Sequence, residues 1–135
     1  MLRKNAKIDL IARVPLFERC SRRELAEIAS LADELSLPAG RKLAAEGAVG
    51  HEFVVIVEGA AEVKRRGKVV NRLRAGDFLG EIALVTGQKR TATVTTTEPS
   101  QLLVLTAPAF RTLLRHQPAL QLKVLDALAE RLPKE

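Results

Sequence analysis

The sequence predicts a mainly β protein, a double-sheet jelly roll with helices on both sides. Between residues 38 and 105, short apolar runs recur every few residues, and glycines or a proline separate them. Many short strands with glycine turns at near-regular spacing are typical of a β-sandwich or barrel, and a double-sheet roll fits that pattern. Outside this segment, apolar residues follow the helical period. The predicted strands cover residues 53–57, 61–63, 69–73, 91–97 and 102–105.

Residues 1–37 are predicted to be helical. A first short helix covers about residues 6–13 and ends before Pro15. A second begins at a capping box, in which Ser21 and Glu24 satisfy each other's backbone donors. Pro38 stops this helix. Its predicted apolar face consists of Leu25, Ile28, Ala29, Ala32 and Leu35.

Two further helices are predicted over residues 106–132, after the roll. Thr106 is a suitable N-cap, and Pro108 lies in the first helical turn, where a missing N–H costs little. This helix ends near His116, and Pro118 begins the last one.

Length and composition indicate one globular domain. The chain has 135 residues, 47% of them apolar and 28% charged, which is ordinary for a soluble domain of this size. No apolar run approaches the roughly 20 residues of a membrane span, and the N-terminus lacks the apolar region of a signal peptide. The single cysteine, Cys20, excludes an internal disulfide and fits a reducing cytoplasm, either as a small buried apolar side chain or as a nucleophile.

The formal net charge of +6 raises the question of nucleic acid binding. The one basic cluster, residues 64–68, contains Gly67 and is typical of a solvated hairpin tip. With no Trp, no Tyr and four Phe, the sequence offers no aromatic platform on which bases could stack. The charge therefore predicts weak attraction to anions and nothing more specific.

The segment 78–94 concentrates residues suited to a phosphate. Gly80 lets a ligand approach the backbone, and a predicted short helix that includes Ile82 and Ala83 would offer free amides to an anion. Arg90, which opens the next predicted strand, carries a planar fork of donors that fits a phosphate. The Glu81 carboxylate can accept a bond from a sugar hydroxyl. Together they predict a pocket for a phosphorylated, ribose-bearing small molecule.

This segment closely resembles the phosphate-binding cassette of the cyclic nucleotide-binding domain family, the roll of cAMP-receptor-like proteins. The family pattern F-G-E-(I/L)-A-L, followed after a short loop by R-(T/S/A)-A-T-V, stands here as LGEIAL at 79–84 and RTATV at 90–94. Leu79 replaces the usual Phe, which changes packing and leaves the polar contacts alone. The resemblance extends over about residues 10–132 and implies a β-roll with flanking helices.

The resemblance implies that a 3′,5′-cyclic nucleotide is the ligand. Arg90 and the backbone amides around Ile82 and Ala83 would hold its phosphate, because an unpaired buried charge is very costly. Glu81 would accept the ribose 2′-OH. Without a ligand, Arg90 would be a surface arginine beside a strand, and Glu81 a carboxylate that caps a helix.

Other residues of the implied pocket face the base. A threonine in the position of Thr91 can bond guanine, and an alanine there accompanies adenine; because many bacterial members with Thr or Ser resemble cAMP binders, cAMP is expected rather than cGMP. Ala92 lines the same turn. Val63 and Leu73 would form an apolar wall for the base or ribose, or belong to the core.

The predicted function is that of a regulatory sensor without catalysis, cofactor or metal, which responds through its C-terminal helices. The two histidines, His51 and His116, are far apart and lie in no metal-ligand spacing, and no pairing of nucleophile and base is visible. The alternative is a roll that serves as an interaction module, or as the sensor portion of a transcription regulator, without needing nucleotide. An effector or a second copy could bind the C-terminal helices.

The sequence ends at Glu135, where the family's lid contacts to the base would begin. In transcription regulators of the family a helix-turn-helix domain then follows, and since none is present here, direct DNA binding is not expected. We expect either a small stand-alone bacterial protein or a piece of a regulator, channel or kinase.

Overall fold

The computed structural model describes residues 4–48, 52–80, 89–90 and 92–131. In this part of the chain, helices at both ends enclose a segment of short strands. The helices are α1 (Lys4–Ala12), a 3-10 turn (Pro15–Phe17), α2 (Arg22–Leu31), α3 (Ala107–His116) and α4 (Pro118–Arg131). The strands are β1 (Asp33–Leu37), β2 (Lys42–Ala44), β3 (Glu52–Glu58), β4 (Ala60–Arg65), β5 (Lys68–Arg74), β6 (Phe78–Leu79), β7 (Thr93–Thr96) and β8 (Ser100–Thr106).

The strands form two four-stranded antiparallel sheets, one in the order β1-β8-β3-β6 and the other in the order β2-β7-β4-β5. The predicted fold class, a mainly β roll with flanking helices, is therefore confirmed. The predicted hairpin is also present, since β4 and β5 are joined at Arg66 and Gly67. Both residues have positive φ, 53° and 78°, as expected for the two-residue turns that match the strand twist.

Among the described residues, the core consists of two clusters, and β3 contributes to both. Successive side chains of a strand point to opposite faces. Phe53 and Val55 therefore pack in a helix-side core with α1, α2, α3 and α4, whereas Val54 and Ile56 pack in a roll core between the sheets. In the helix-side core, the ring of Phe53 stacks on that of Phe110 with centroids 4.5 Å apart.

The capping box of α2 is present as predicted. The Ser21 hydroxyl accepts a bond from the Glu24 amide (3.1 Å), and the Glu24 carboxylate accepts one from the Ser21 amide (2.8 Å). The apolar face of the helix is buried at Leu25, Ile28 and Ala29.

The predicted extent of this helix was wrong. Helix α2 ends at Leu31, and Ala32 is already extended (φ −90°, ψ 138°). The next residues form β1, in which Leu35 pairs with Leu102 of β8 and is 43% exposed. Residues 1–37 are therefore not all helical. Residues 33–37 form a strand because β8 provides backbone hydrogen-bond partners for them. The helical spacing of the apolar residues does not indicate this pairing.

The C-terminal helices begin where they were predicted. The Thr106 hydroxyl accepts a bond from the Ala109 amide (3.3 Å), and α4 starts at Pro118. Between them lies Gln117, whose side chain is buried and donates to the Glu27 carboxylate of α2 (3.0 Å). His116 contacts the same carboxylate through Nδ1 (2.7 Å). Polar contacts thus tie the α3–α4 junction to α2. Within the described residues, no helix combines the length and the apolar character that a membrane crossing requires.

Candidate functional site

Gly80 lies at the end of β6 in a conformation that favours glycine. Its φ is +102°, in the region that L side chains rarely adopt. A Cβ on this residue would come within 2.4 Å of the Glu52 carbonyl oxygen and 2.7 Å of Nη1 of Arg90. Glycine is therefore required here both by the backbone conformation and by the close approach of the two groups.

The side chain of Arg90 lies over Gly80. Its Nη2 donates to the backbone carbonyl of Glu52, at the start of β3, over 2.6 Å. The carbonyl oxygen accepts from the guanidinium, so this contact orients the arginine side chain. The side chain is half-buried. The fold thus brings together the two residues that the sequence placed ten positions apart in the predicted phosphate site.

The backbone of Arg90 is held by a turn between β2 and β3, and not by a strand. The Arg90 amide donates to the carbonyl of Ala48 (2.7 Å), and its carbonyl accepts from the amide of Gly47 (2.8 Å). The prediction that the strand begins beside Arg90 was therefore wrong, since β7 begins at Thr93. These two hydrogen bonds fix the position of the Arg90 backbone, from which its side chain extends.

The remaining described site residues lie in and beside the second sheet. Ala92, just before β7, is 8% exposed. Val63 of β4 pairs with Val94 of β7, and Leu73 of β5 pairs with Ala61. Leu73 is buried in the roll core and Val63 packs against it, half-buried. Two roles were predicted for these side chains, packing in the core and forming an apolar wall for the base or ribose. Their position is compatible with both, because residues of a roll core can also line a cavity.

The other predicted site residues, Glu81, Ile82, Ala83 and Thr91, lie outside the described residues, as does the predicted short helix.

Three groups that position Arg90 were missed by the sequence reasoning as contributors to the site. They are the carbonyls of Glu52 and Ala48 and the amide of Gly47. Every residue type supplies a backbone carbonyl, so nothing in the sequence marks Glu52 or Ala48. Gly47 carries a usable signal, because its positive φ of 82° belongs to a turn that glycine favours.

A second polar cluster surrounds the α3–α4 junction. The contact with His116, and then the bond from Gln117, hold the pKa of the Glu27 carboxyl below its usual value. Burial raises the pKa of the Cys20 thiol, whose Sγ lies 3.5 Å from Oε1 of Gln117. A raised pKa disfavours the thiolate that a nucleophile needs. Among the described residues, His, Cys, Asp and Glu side chains form no group of three or more that could hold a metal ion.

The sequence of this chain also matches a known protein family. The family model for the cyclic nucleotide-binding domain matches residues 34–117, which is more than half of the 135 residues. The chain therefore belongs to the cyclic nucleotide-binding domain family. The resemblance seen in residues 79–94 is confirmed.

Individual relatives include proteins of two kinds. A cAMP-dependent protein kinase regulatory subunit of Eremothecium gossypii is 36% identical over 107 residues, which are 78% of this chain and 23% of that protein. A cyclic nucleotide-gated potassium channel of Rhizobium etli is 36% identical over 123 residues, which are 91% of this chain and 34% of that protein. The chain thus spans about a quarter to a third of these relatives.

A solved structure matches the fold. The regulatory domain of Toxoplasma gondii PKA, crystallised with cAMP, has a TM-score of 0.82 at 22% identity and covers 96% of this chain and 51% of that chain. At this identity the likeness concerns the arrangement of strands and helices.

Proposed function

We propose that the chain binds a 3′,5′-cyclic nucleotide, cAMP in preference to cGMP, and acts as a regulatory sensor without catalytic activity. The observation that carries the proposal is the guanidinium of Arg90 held over Gly80. A half-buried arginine fork packed closely against the backbone at Gly80 suits a small phosphate-bearing anion. Family membership supports a cyclic nucleotide as that anion.

The phosphate is bound by Arg90 together with the backbone amides around Ile82 and Ala83, and the ribose 2′-OH by Glu81. One negative charge on the cyclic phosphate meets one positive charge on the guanidinium. A bidentate contact satisfies two phosphate oxygens at once, which a lysine could not do.

The base lies against the second sheet in this proposal. Thr91 and Ala92 border it at the start of the segment that leads into β7, and Val63 and Leu73 provide an apolar wall. Preference for cAMP is a proposal that rests on the family resemblance of the RTATV segment.

The response travels from the phosphate site to the C-terminal helices through β3. Arg90 bonds the carbonyl of Glu52, the next residue is Phe53, and the ring of Phe53 stacks on Phe110 of α3. A phosphate that draws the guanidinium toward itself competes with the Glu52 carbonyl for the same donors. A change at that bond reaches α3 through only two further residues, and it shifts the helices to the extent that the ligand prefers one arrangement.

The chain represents a domain that resides in the cytoplasm and transmits the nucleotide signal to an effector. The two relatives above suggest the kinds of effector, a kinase or a channel. A second copy of this chain is a further possible partner in this proposal. It would pair through α4, where Leu122 and Leu125 are exposed.

Calorimetric titration of nucleotide-stripped protein with cAMP and then cGMP tests the proposal. We expect Arg90→Ala to weaken binding by about 2–5 kcal/mol, the range for losing one partner of a buried charge pair. Arg90→Lys keeps the positive charge and loses the planar fork of donors, so its affinity should lie between those of the parent protein and Arg90→Ala. Arg111→Ala removes an exposed arginine of α3 and should bind as the parent does.

Near-parental affinity of Arg90→Ala would contradict the assignment of the phosphate site. If neither nucleotide binds the parent protein, the proposed function as a nucleotide sensor is wrong for this chain by itself, and the alternative of an interaction module gains support. Tighter binding of cGMP would overturn only the proposed base preference.

A further inference from the structure

The β4–β5 hairpin, residues 60–74, carries most of the positive charge of the chain. It contains six basic residues and one acidic residue, a net charge of +5, whereas the whole chain has +6. Two carboxylates outside the hairpin contact its backbone, since Glu46 accepts from the Arg66 amide (3.1 Å) and Asp77 from the Arg74 amide (2.8 Å). Counting both with the hairpin still leaves a net charge of +3. All six basic residues are exposed: Lys64, Arg65, Arg66, Lys68, Arg72 and Arg74.

The hairpin belongs to the sheet that the helices do not cover. The helix-side core takes its strand residues from the first sheet, and it contains none from β2, β4, β5 or β7. At the tip of the hairpin, a Cβ on Gly67 would meet no atom within 4 Å. In the part of the chain that the structure describes, the tip and the outer face of the second sheet are therefore open to a partner.

Two apolar side chains lie beside these cations. Val69 is 41% exposed and Val70 52% exposed. Val69 pairs with Lys64, and paired residues of neighbouring strands share one face of a sheet. That face is the outer one, because the preceding residue, Val63, packs against the roll core and successive side chains alternate. Cations and apolar side chains are thus mixed at the exposed end of the hairpin.

The backbone of β5 is protected from pairing with a further strand. The Arg72 amide donates to Oδ1 of Asn71 (2.8 Å). The Arg74 amide donates to Oδ2 of Asp77 (2.8 Å), and the strand is bulged at Val70. Bulges and basic side chains are devices that keep other strands from a sheet edge. A partner of this hairpin therefore contacts its side chains.

We propose that the β4–β5 hairpin binds an anionic membrane surface, with its basic side chains among the lipid headgroups and Val69 and Val70 in the interface. Clusters of about four to eight Lys or Arg residues are typical of segments that bind anionic lipids, and apolar side chains beside them add to the attraction. A fluid headgroup layer adapts to a protruding hairpin, whereas a folded acidic protein would need a surface of matching shape.

Other occupants fit this surface less well. A second copy of this chain is disfavoured because two basic hairpins repel each other. Single-stranded nucleic acid would need aromatic side chains on which its bases stack. Three of the four phenylalanines, Phe17, Phe53 and Phe110, are buried, and the fourth, Phe78, is half-buried on β6 of the other sheet.

The inference does not depend on nucleotide binding, and its test uses the full chain. Co-sedimentation measures the partition of the protein onto vesicles of phosphatidylcholine, with and without phosphatidylserine, at about 0.1 M salt, where the Debye length is about 10 Å. We expect binding only to the vesicles with phosphatidylserine, and a loss of binding as salt is added. A peptide of alternating glutamate and serine and a single-stranded oligonucleotide are titrated in parallel, at equal concentrations of anionic groups.

Three double variants make the test specific to the hairpin. Lys64→Gln/Lys68→Gln should lower the partition coefficient by about 10-fold or more, because each basic residue near an anionic surface contributes about fivefold. Val69→Ser/Val70→Ser keeps the charge and should lower it by about threefold or more, because less apolar surface enters the interface. The control Arg23→Gln/Arg111→Gln removes the same charge at exposed sites on α2 and α3 and should bind within about twofold of the parent, since the attraction falls off within a Debye length.

Unfolding curves for the variants verify that they are folded, and a spin-labelled lipid should broaden the amide NMR signals of residues 64–70 most. The proposal is supported if anionic vesicles bind the parent and both hairpin variants bind them more weakly. It is overturned if anionic vesicles fail to bind, if the control loses as much as the lysine variant, or if the valine variant binds as the parent does. Tighter binding of the acidic peptide or the oligonucleotide than of the vesicles would overturn it as well.

Discussion

Gly80→Ala provides a sharp test of the site geometry, because the structure supplies a matched control. Gly40 also has a positive φ, +86°, but no atom lies within 4 Å of the position that a Cβ would take there. At Gly80, with φ +102°, the same methyl group would meet the Glu52 carbonyl oxygen at 2.4 Å and Nη1 of Arg90 at 2.7 Å. The two substitutions therefore share backbone strain, and only one adds steric clashes.

The expected free energies of unfolding follow from these distances. Forcing alanine into a left-handed conformation costs about 1–2 kcal/mol, which is the whole expected cost of Gly40→Ala. The clash at Gly80 adds about 1–3 kcal/mol, typical of overpacking, because the Glu52 carbonyl belongs to the backbone of a paired strand and cannot move freely. Urea unfolding of both variants measures the difference, provided that the m-value is unchanged.

Binding separates the two contacts of the added methyl group. The guanidinium of Arg90 ends a flexible side chain and can move away, at little cost in stability but with loss of its position over Gly80. Gly80→Ala should therefore weaken cAMP binding by up to the loss expected for Arg90→Ala, about 2–5 kcal/mol, whereas Gly40→Ala should bind normally. Equal stability of the two variants, or unchanged affinity in Gly80→Ala, would refute the reasoning.

Two further predictions concern the α3–α4 junction. Because the folded pKa of Glu27 is lowered, its contribution to stability is complete above the ordinary glutamate pKa of about 4.3 and is lost as the pH falls through the lower folded value. The Glu27 side chain is 31% exposed, so its contribution to stability is at most about 1 kcal/mol. As the pH is lowered across this range, the urea midpoint of unfolding should fall more steeply for the parent than for Glu27→Gln. Parallel curves for the two proteins would contradict this. Secondly, cAMP should shift the amide signals of α3 and α4, and identical spectra with and without ligand would exclude a response through these helices.

Local signals in the sequence were sufficient for the elements that cap themselves. Ser21 with Glu24, and Thr106 with Pro108, determine helix starts through contacts within a few residues, and both starts were predicted correctly. The end of α2 was not, because β1 exists through its pairing with β8, about 65 residues later. Leu35 continues the helical spacing of the preceding apolar residues, so periodicity alone could not reveal the strand.

Short strands escaped prediction for a related reason. Strand β2 has three residues and β6 has two, too few to display an alternating pattern of burial. Each of them pairs with a strand distant in the sequence, β2 with β7 and β6 with β3. Their backbone conformation follows from those partners and not from their own side chains.

The candidate site divides in the same way between local chemistry and distant geometry. The donors and the glycine are encoded within residues 79–94, which is why a phosphate site could be predicted from one stretch of sequence. The direction of the Arg90 side chain, however, depends on the carbonyl of Glu52, 38 positions earlier, and its backbone position depends on Gly47 and Ala48. A substitution that displaces the start of β3 should therefore impair the site while every residue of the motif is intact. The motif supplies the groups that we propose to contact an anion, and the pairing of β3 with β6 and β8 determines whether Gly80 and Arg90 converge.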